Sequence, residues 1–326
     1  MSFAEKLVAW QRRHGRRHLP WQGTRDPYRV WLSEVMLQQT QVSAVVPYYE
    51  RFLENYPSLE ALAAASEDEV LRLWSGLGYY ARGRNLRLAA QRVVSLGGFP
   101  KTHEEIEELP GVGRSTAAAI AVFAFGERAA ILDGNVKRVL SRCYGVEGQD
   151  DLWKLADRLL PKRDIEVYTQ ALMDLGATIC TRAPACGACP VTRQCVARKT
   201  NRVAELPAPR PRRALPLRRA NWFVYLHDGK VLLERRPSSG IWGGLWCFPE
   251  QALVKGRVKS RLEPIDHGFT HFKLRIQPLL HKAQPRESAA RRWVHVSEAP
   301  QAAVPTPVKK LLQDLQRNAT RRARSR

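Results

Sequence analysis

LPGVGRSTAAAI, residues Leu109 to Ile120, places two glycines around one apolar residue and then begins a helix. Gly111 and Gly113 allow a tight turn whose N–H groups point outward, and the helix start behind them adds the positive end of a dipole. That arrangement can grip a phosphate without reading a base. A plain helix–turn–helix connection has the same pattern. Downstream, ILDGNV (131–136) puts Asp133 where a further helix starts, a natural N-cap position that would keep a carboxylate charged. Upstream, WLSEVMLQQ (31–39) carries Glu34 among apolar residues. Gln38 and Gln41 follow at i+4 and i+7, so the three share one face of a continuous helix. A glutamate half-sunk among apolar groups has a raised pKa, whereas a solvated one does not.

Outward from these segments, residues 1–200 read as helical. VWLSEVMLQQTQVSAVVPYYERFLENYP has near-helical apolar spacing, ASEDEVLRLWSGLG opens on a serine and acids, and ARGRNLRLAAQRVVSLGG stops on a glycine pair. GNVKRVLSRCYG and YTQALMDLGATIC predict two more helices. The composition then shifts. ELPAPRPRRALPLRR predicts an extended linker over 201–220. Beyond it the pattern alternates: NWFVYLHDGKVLLERR predicts two strands joined at Asp228-Gly229, with further strands in FTHFKLRIQPLL and RRWVHV. PTPVKKLLQDLQ predicts a closing helix, and 317–326 an irregular basic tail.

Six cysteines are present, four of them as Cys180-x5-Cys186-x2-Cys189-x5-Cys195. Such density in a reduced chain reads as a metal loop over 180–195, suiting a [4Fe–4S] cluster, with zinc the alternative. Cys143 and Cys247 stand apart and read as buried structural thiols.

The chain of 326 residues carries a formal charge of +22. Residues 201–326 hold 26 Lys+Arg against 9 Asp+Glu, and residues 1–200 hold 27 against 22. Such a field attracts polyanions, nucleic acid first among them. No apolar run approaches the ~18 residues that span a bilayer, and the opening residues turn charged too early for a signal peptide. The expectation is a cytoplasmic, nucleoid-associated monomer with no membrane partner.

Cleaving a glycosidic bond needs an acid for the leaving group and an anion beside an oxocarbenium-like sugar. Glu34 and Asp133, in different environments, supply that pair. In DNA the leaving group would be a base.

Taken in order, LPGVG, LDGN before a helix and the four-cysteine loop resemble the helix–hairpin–helix DNA glycosylases of the endonuclease III superfamily. WLSEVMLQQT, WSGLGYYARGRNL and ILDGNVKRV are similar to the MutY-type adenine branch. The resemblance implies an all-helical glycosylase domain with an iron–sulfur loop over 1–200, then a Nudix-like α/β domain over 221–316: a multidomain α plus α+β chain. It implies Glu34 as general acid, Asp133 as stabiliser or nucleophile at the sugar carbon, and Asn135 positioning that carboxylate or the sugar. It implies Gln170 reading the flipped adenine, Gln39 and Tyr79 pushing into the helix, and Phe269, Thr270 and His271 facing 8-oxoguanine. Its substrates would be duplex DNA with A·8-oxoguanine or A·G mispairs.

Ser115 stands where endonuclease III-like enzymes carry a lysine nucleophile, so the resemblance implies a monofunctional hydrolase and argues against a glycosylase/lyase. Intact Glu34 and Asp133 argue against a non-catalytic lesion binder. The C-terminal segment lacks the Glu- and Arg-rich metal box of a Nudix hydrolase, which implies a binding module rather than a pyrophosphatase. The chain departs from the family at Thr270, where serine is usual, and in its first cysteine spacer, TRAPA, which is one residue short.

Overall fold

The computed structural model describes residues 1–208, 214–254 and 258–324. Contacts divide the chain into two compact units: Met1–Ala64 with Leu88–Pro211, and Ala65–Arg87 with Arg212–Arg326. Residues 65–87, largely helical as expected, therefore pack with the C-terminal third of the chain.

The helices are α1 (Phe3–His14), α2 (Pro27–Leu37), α3 (Val42–Asn55), α4 (Leu59–Ala64), α5 (Glu67–Trp74), α6 (Ala81–Ser95), α7 (His103–Glu107), α8 (Arg114–Ile120), α9 (Gly134–Tyr144), α10 (Gln149–Arg158), α11 (Ile165–Asp174), α12 (Val196–Lys199) and α13 (Thr306–Arg324). Their starts follow side-chain caps: a Ser2–Glu5 capping box opens α1, Ser66–Glu69 opens α5, and Asp133 caps α9. α8 and α11 each run on into a π-turn, Ala121–Phe125 and Leu175–Ile179. α8, α9 and α11 bury Ala118, Ala119, Val136, Val139, Leu140, Tyr168 and Leu172 in one core with Leu7 of α1. Among the described residues, no helix is long and apolar enough to cross a membrane.

One expectation is corrected here. The continuous helix through 30–57 breaks between α2 and α3, and Gln39 adopts φ +56° at the break. Gln38 and Gln41 are cap residues rather than members of Glu34's helical face. Their apolar neighbours keep helical spacing because both helices pack on the same core.

In the second unit, β1 (Leu217–His227), β2 (Lys230–Arg235), β3 (Trp246–Cys247), β4 (Val258–Arg261), β5 (Ile265–Gly268), β6 (Lys273–His281) and β7 (Arg291–His295) form a mixed sheet. β1 and β6 run parallel in unbroken register from Leu217↔Lys273 to Tyr225↔His281. β1 and β2 form the expected hairpin, with Asp228 at φ +44° and Gly229 at +72°, the two left-handed residues of a tight two-residue turn. Three further boundaries move. β1 starts at Leu217, inside the stretch read as linker, because its parallel pairing with β6 begins there; linker residues 209–213 lie outside the described residues. Phe269–Phe272 is a turn rather than strand, closed by the Phe269 N–H donating to the Phe272 carbonyl (2.9 Å). The tail read as irregular is helical to Arg324, helped by an Asp314–Arg317 pair at i,i+3; residues 325–326 lie outside the described residues.

Candidate active site

In the first unit a groove of about 2200 Å³ is lined by residues of α1, α2, α3, α8, α9 and α11. Small-molecule pockets are typically about 300–1,000 Å³, so the groove has room for part of a polymer. Glu34, Gln39, Ser115, Asp133, Asn135 and Gln170 all line it, as do Gln38 and Gln41. The helix break thus delivers to one surface the residues that a single helical stripe was expected to present. Six arginines, Arg12, Arg16, Arg17, Arg25, Arg138 and Arg182, share its walls, and these can meet a phosphate backbone.

The two carboxylates face one another electrostatically. Burial, and then the charge of Asp133, pushes the Glu34 carboxyl up to about 8. An acid with that value holds its proton at neutral pH. Burial also raises Asp133, against the pull of its cap bonds and of Arg138. The Asn135 and Val136 N–H groups donate to Asp133 Oδ1 at 3.0 and 2.7 Å, and Asn135 Nδ2 donates to Oδ2 at 3.4 Å. The expected N-cap is present, but it offsets burial only in part. Two carboxyls in different surroundings, one holding its proton at neutral pH and one capped by amide N–H groups, are an arrangement that can serve as acid and anion.

Neighbouring residues hold this turn. Ser115 Oγ accepts from the Leu132 N–H at 3.0 Å, so the hydroxyl anchors the residue before Asp133. Gln38 Nε2 donates to Thr116 Oγ1 and to the Gly111 carbonyl at 3.2 and 3.4 Å, tying the end of α2 to the hairpin. Gly111 (φ +79°) is exposed at the hairpin, and Gly113 is the N-cap residue of α8 with open space where a Cβ would stand.

Arg138 was not singled out from sequence. Its guanidinium donates to Asn135 Oδ1 (2.9 Å), to the Gly176 carbonyl (2.7 Å) and to the Cys180 carbonyl (2.6 Å). It therefore spans from the Asp133 turn to the first cysteine of the loop. Asp174 was missed as well: buried under the groove, it accepts from Gln170 Nε2 at 2.9 Å. An aspartate inside the apolar run ALMDLGATI was the available signal.

Cys180, Cys186, Cys189 and Cys195 line a second, nearly apolar cavity with Cys143 and Arg142. Arg142 is only 5% exposed, and its Nη1 donates to Cys180 Sγ (3.5 Å) and the Thr181 carbonyl (2.6 Å). A buried guanidinium facing sulfur suits an anionic thiolate-bound group. Cys143 is buried, as expected of a structural thiol, and it lines the same cavity as the four cysteines of the loop. Elsewhere, one ligand atom each from His103, Glu104 and Glu127 lie within 4.8 Å of one another, in an exposed to half-buried setting. Cys247 is fully buried.

The remaining expected site residues lie in the second unit. Tyr79, at φ +48° and 47% exposed, shares a 3.1 Å hydrogen bond between its hydroxyl and Thr270 Oγ1. Its neighbour Tyr80 is buried, so only Tyr79 is presented outward. Thr270 and His271 are exposed at the β5–β6 turn, whereas Phe269 stacks on Phe272 (4.5 Å) and meets His267 edge-on (4.7 Å).

Residues 32–162 match the HhH-GPD superfamily base excision DNA repair protein family, and residues 221–314 match the NUDIX domain family. An adenine DNA glycosylase of Buchnera aphidicola subsp. Acyrthosiphon pisum (strain APS) is 34% identical over 344 residues, covering 97% of this chain and 98% of its own length. The adenine DNA glycosylase of Mus musculus is 36% identical over 398 residues, covering 95% of this chain and 77% of its own. Among solved structures, a thermostable thymine-DNA glycosylase superposes with a TM-score of 0.57 at 31% identity, over 61% of this chain and 95% of that one. A non-covalent endonuclease III–DNA complex superposes with a TM-score of 0.54 at 22% identity, over 61% and 94%, and shares the fold.

Proposed function

We propose, since this chain belongs to the adenine DNA glycosylase family, that it is a monofunctional hydrolase releasing adenine from A·8-oxoguanine and A·G mispairs. The observation that carries this reading is the pair of groove carboxylates, with Glu34 raised to about 8 by burial and by Asp133. Glu34 gives its proton to the departing base as the bond from C1′ to the base nitrogen breaks and its electron pair goes to that nitrogen. The Asp133 carboxylate faces the positive charge left at C1′, and water then adds there and loses a proton. Ser115 offers no amine, so no Schiff base forms and the strand stays intact.

Asn135 holds Asp133, and Gln170 contacts the extruded base. Gln39 and Tyr79 fill the gap that extrusion leaves. Both occupy left-handed backbone, which projects a side chain from a tight turn. Thr270 and His271, with Tyr79, contact the 8-oxoguanine.

The four cysteines would hold a [4Fe–4S] cluster, which when bound ties the loop 180–195 together. We expect about four iron atoms and four acid-labile sulfides per purified chain; one zinc and no sulfide would overturn the assignment. Arg138 links that loop to Asn135. Arg138→Ala is therefore expected to lower base release on the order of tenfold while leaving the iron content near wild type, measured by single-turnover kinetics and iron analysis. It removes three charge-assisted hydrogen bonds, each worth about 1.5–3 kcal/mol.

The deciding experiment is a single-turnover assay on duplexes holding one A·8-oxoguanine, A·T, T·G or thymine-glycol pair, read with and without alkali. Cleavage at adenine only in the mispair, and only after alkali, is the expected result. Alkali-independent cleavage at thymine glycol, or release of thymine from T·G, would overturn it.

A further inference from the structure

We propose that Asp174 is a positioning residue that fixes which end of the Gln170 amide faces the groove, and so makes the base pocket select a 6-amino purine over a 6-oxo purine. The inference rests on the reading of Gln170 as the residue that contacts the extruded base.

Asp174 is 1% exposed and lies at the end of α11, one helical turn after Gln170. Its Oδ1 accepts from Arg16 Nε (2.8 Å), Arg16 Nη2 (2.6 Å) and Gln170 Nε2 (2.9 Å). Its Oδ2 accepts from Gln11 Nε2 and the Arg16 N–H, both at 2.9 Å. A carboxylate only accepts, so the end of each amide that meets Asp174 must be the NH2. The assignment of nitrogen and oxygen in Gln170 follows from its partner. With its NH2 held on Asp174, Gln170 offers its carbonyl oxygen to the groove that it lines.

That oxygen is an acceptor. The exocyclic amine of adenine donates to it. The 6-carbonyl of hypoxanthine or guanine would set lone pair against lone pair, leaving two desolvated acceptors facing one another. A pocket built to hydrogen-bond one group rejects the analogue that lacks it far more strongly than an apolar pocket does. Arg16 neutralises Asp174 and Gln11 completes its hydrogen bonding, so the carboxylate stays fixed; both also line the groove, and the amide of Gln170 is the partner whose orientation the carboxylate sets toward it.

The test compares single-turnover release of adenine and of hypoxanthine opposite 8-oxoguanine. Asp174→Asn can meet Gln170 with either its oxygen or its NH2, so the amide loses its single orientation. The adenine-to-hypoxanthine ratio is expected to fall by about tenfold or more, with duplex binding retained. Equal losses on both bases, leaving the ratio unchanged, would reduce Asp174 to a fold-stabilising role and overturn the inference. Gln170→Leu separates the layers. If it leaves the ratio unchanged, the reading of Gln170 fails; if it collapses the ratio while Asp174→Asn does not, only the present inference fails. Should Asp174→Asn not fold, the wild-type protein with 15N-labelled glutamine carries the test. A Gln170 side-chain N–H exchanging more slowly than those of exposed glutamines supports the inference, and exchange at the exposed rate overturns it.

Discussion

Glu34→Gln leaves duplex binding near wild type and lowers the single-turnover rate of base release by about 10²–10⁴-fold, the span that a positioned general acid supplies. Glutamine keeps the shape and polarity of the side chain and lacks only the transferable proton. The pH profile carries the same assignment. The Glu34 carboxyl is pushed up to about 8, first by burial and then by Asp133. The acid is therefore loaded across the neutral range, and the wild-type rate falls as pH rises through about 8. The folded state binds this proton more tightly than the unfolded chain does. Between the ordinary glutamate value and about 8, stability therefore decreases with rising pH, because folding holds an anion in poor solvent. At pH 8 and above, Glu34→Gln removes that penalty, of at most a few kcal/mol, and should melt higher than wild type. A variant that melts no higher and releases base at the wild-type rate would remove Glu34 from the chemistry.

Asp133→Asn is expected to lower the rate by about 10²–10³-fold, the loss seen when a charge-stabilising group is removed. The fold should survive, because asparagine caps a helix about as well as aspartate. Asp133→Ala separates the two roles: it loses the two backbone bonds from Asn135 and Val136, and the Asn135 side-chain bond, and should cost about 1 kcal/mol of stability besides the rate. Removing the Asp133 charge also removes the second cause of the raised Glu34 value. The alkaline fall in rate of Asp133→Asn should therefore begin at lower pH than in wild type. An unshifted profile would mean that the two carboxyls do not sense each other.

What could be read in advance depended on how locally each feature is encoded. The Asp133 cap, the Asp228-Gly229 turn and the Ser66 helix start are written in two to four consecutive residues, and each stands as expected. The break after Leu37 was not legible, because α2 and α3 bury apolar residues on one core and their spacing continues across the gap. Glu34, Asp133 and Gln170 are far apart in sequence, and no periodicity connects them; resemblance supplied the grouping, and the groove brings them together. Arg138 and Asp174 work through other side chains across helices, so their residue type alone said little. Cys143 is buried as its residue type suggested, but nothing local in the sequence tells that it lines the cavity of the four-cysteine loop.

The second unit is assembled from two separated pieces of the chain, and this matters for how the gene tolerates interruption. Ser75 Oγ donates to the Val304 carbonyl at 2.8 Å, Trp246 Nε1 donates to Asp68 at 3.3 Å, and Arg235 pairs with Glu67 and Asp68. A nonsense codon just beyond the cysteine loop would leave residues 65–87 translated but stripped of these partners, with apolar side chains such as Val70, Leu71 and Trp74 losing part of the unit they pack in. The shortened product would keep the segment 32–162 that matches the HhH-GPD family, with residues 65–87 exposed where these bonds had held them. Alleles truncated in the last third of the reading frame should therefore accumulate less protein than wild type, because residues 65–87 lose these partners.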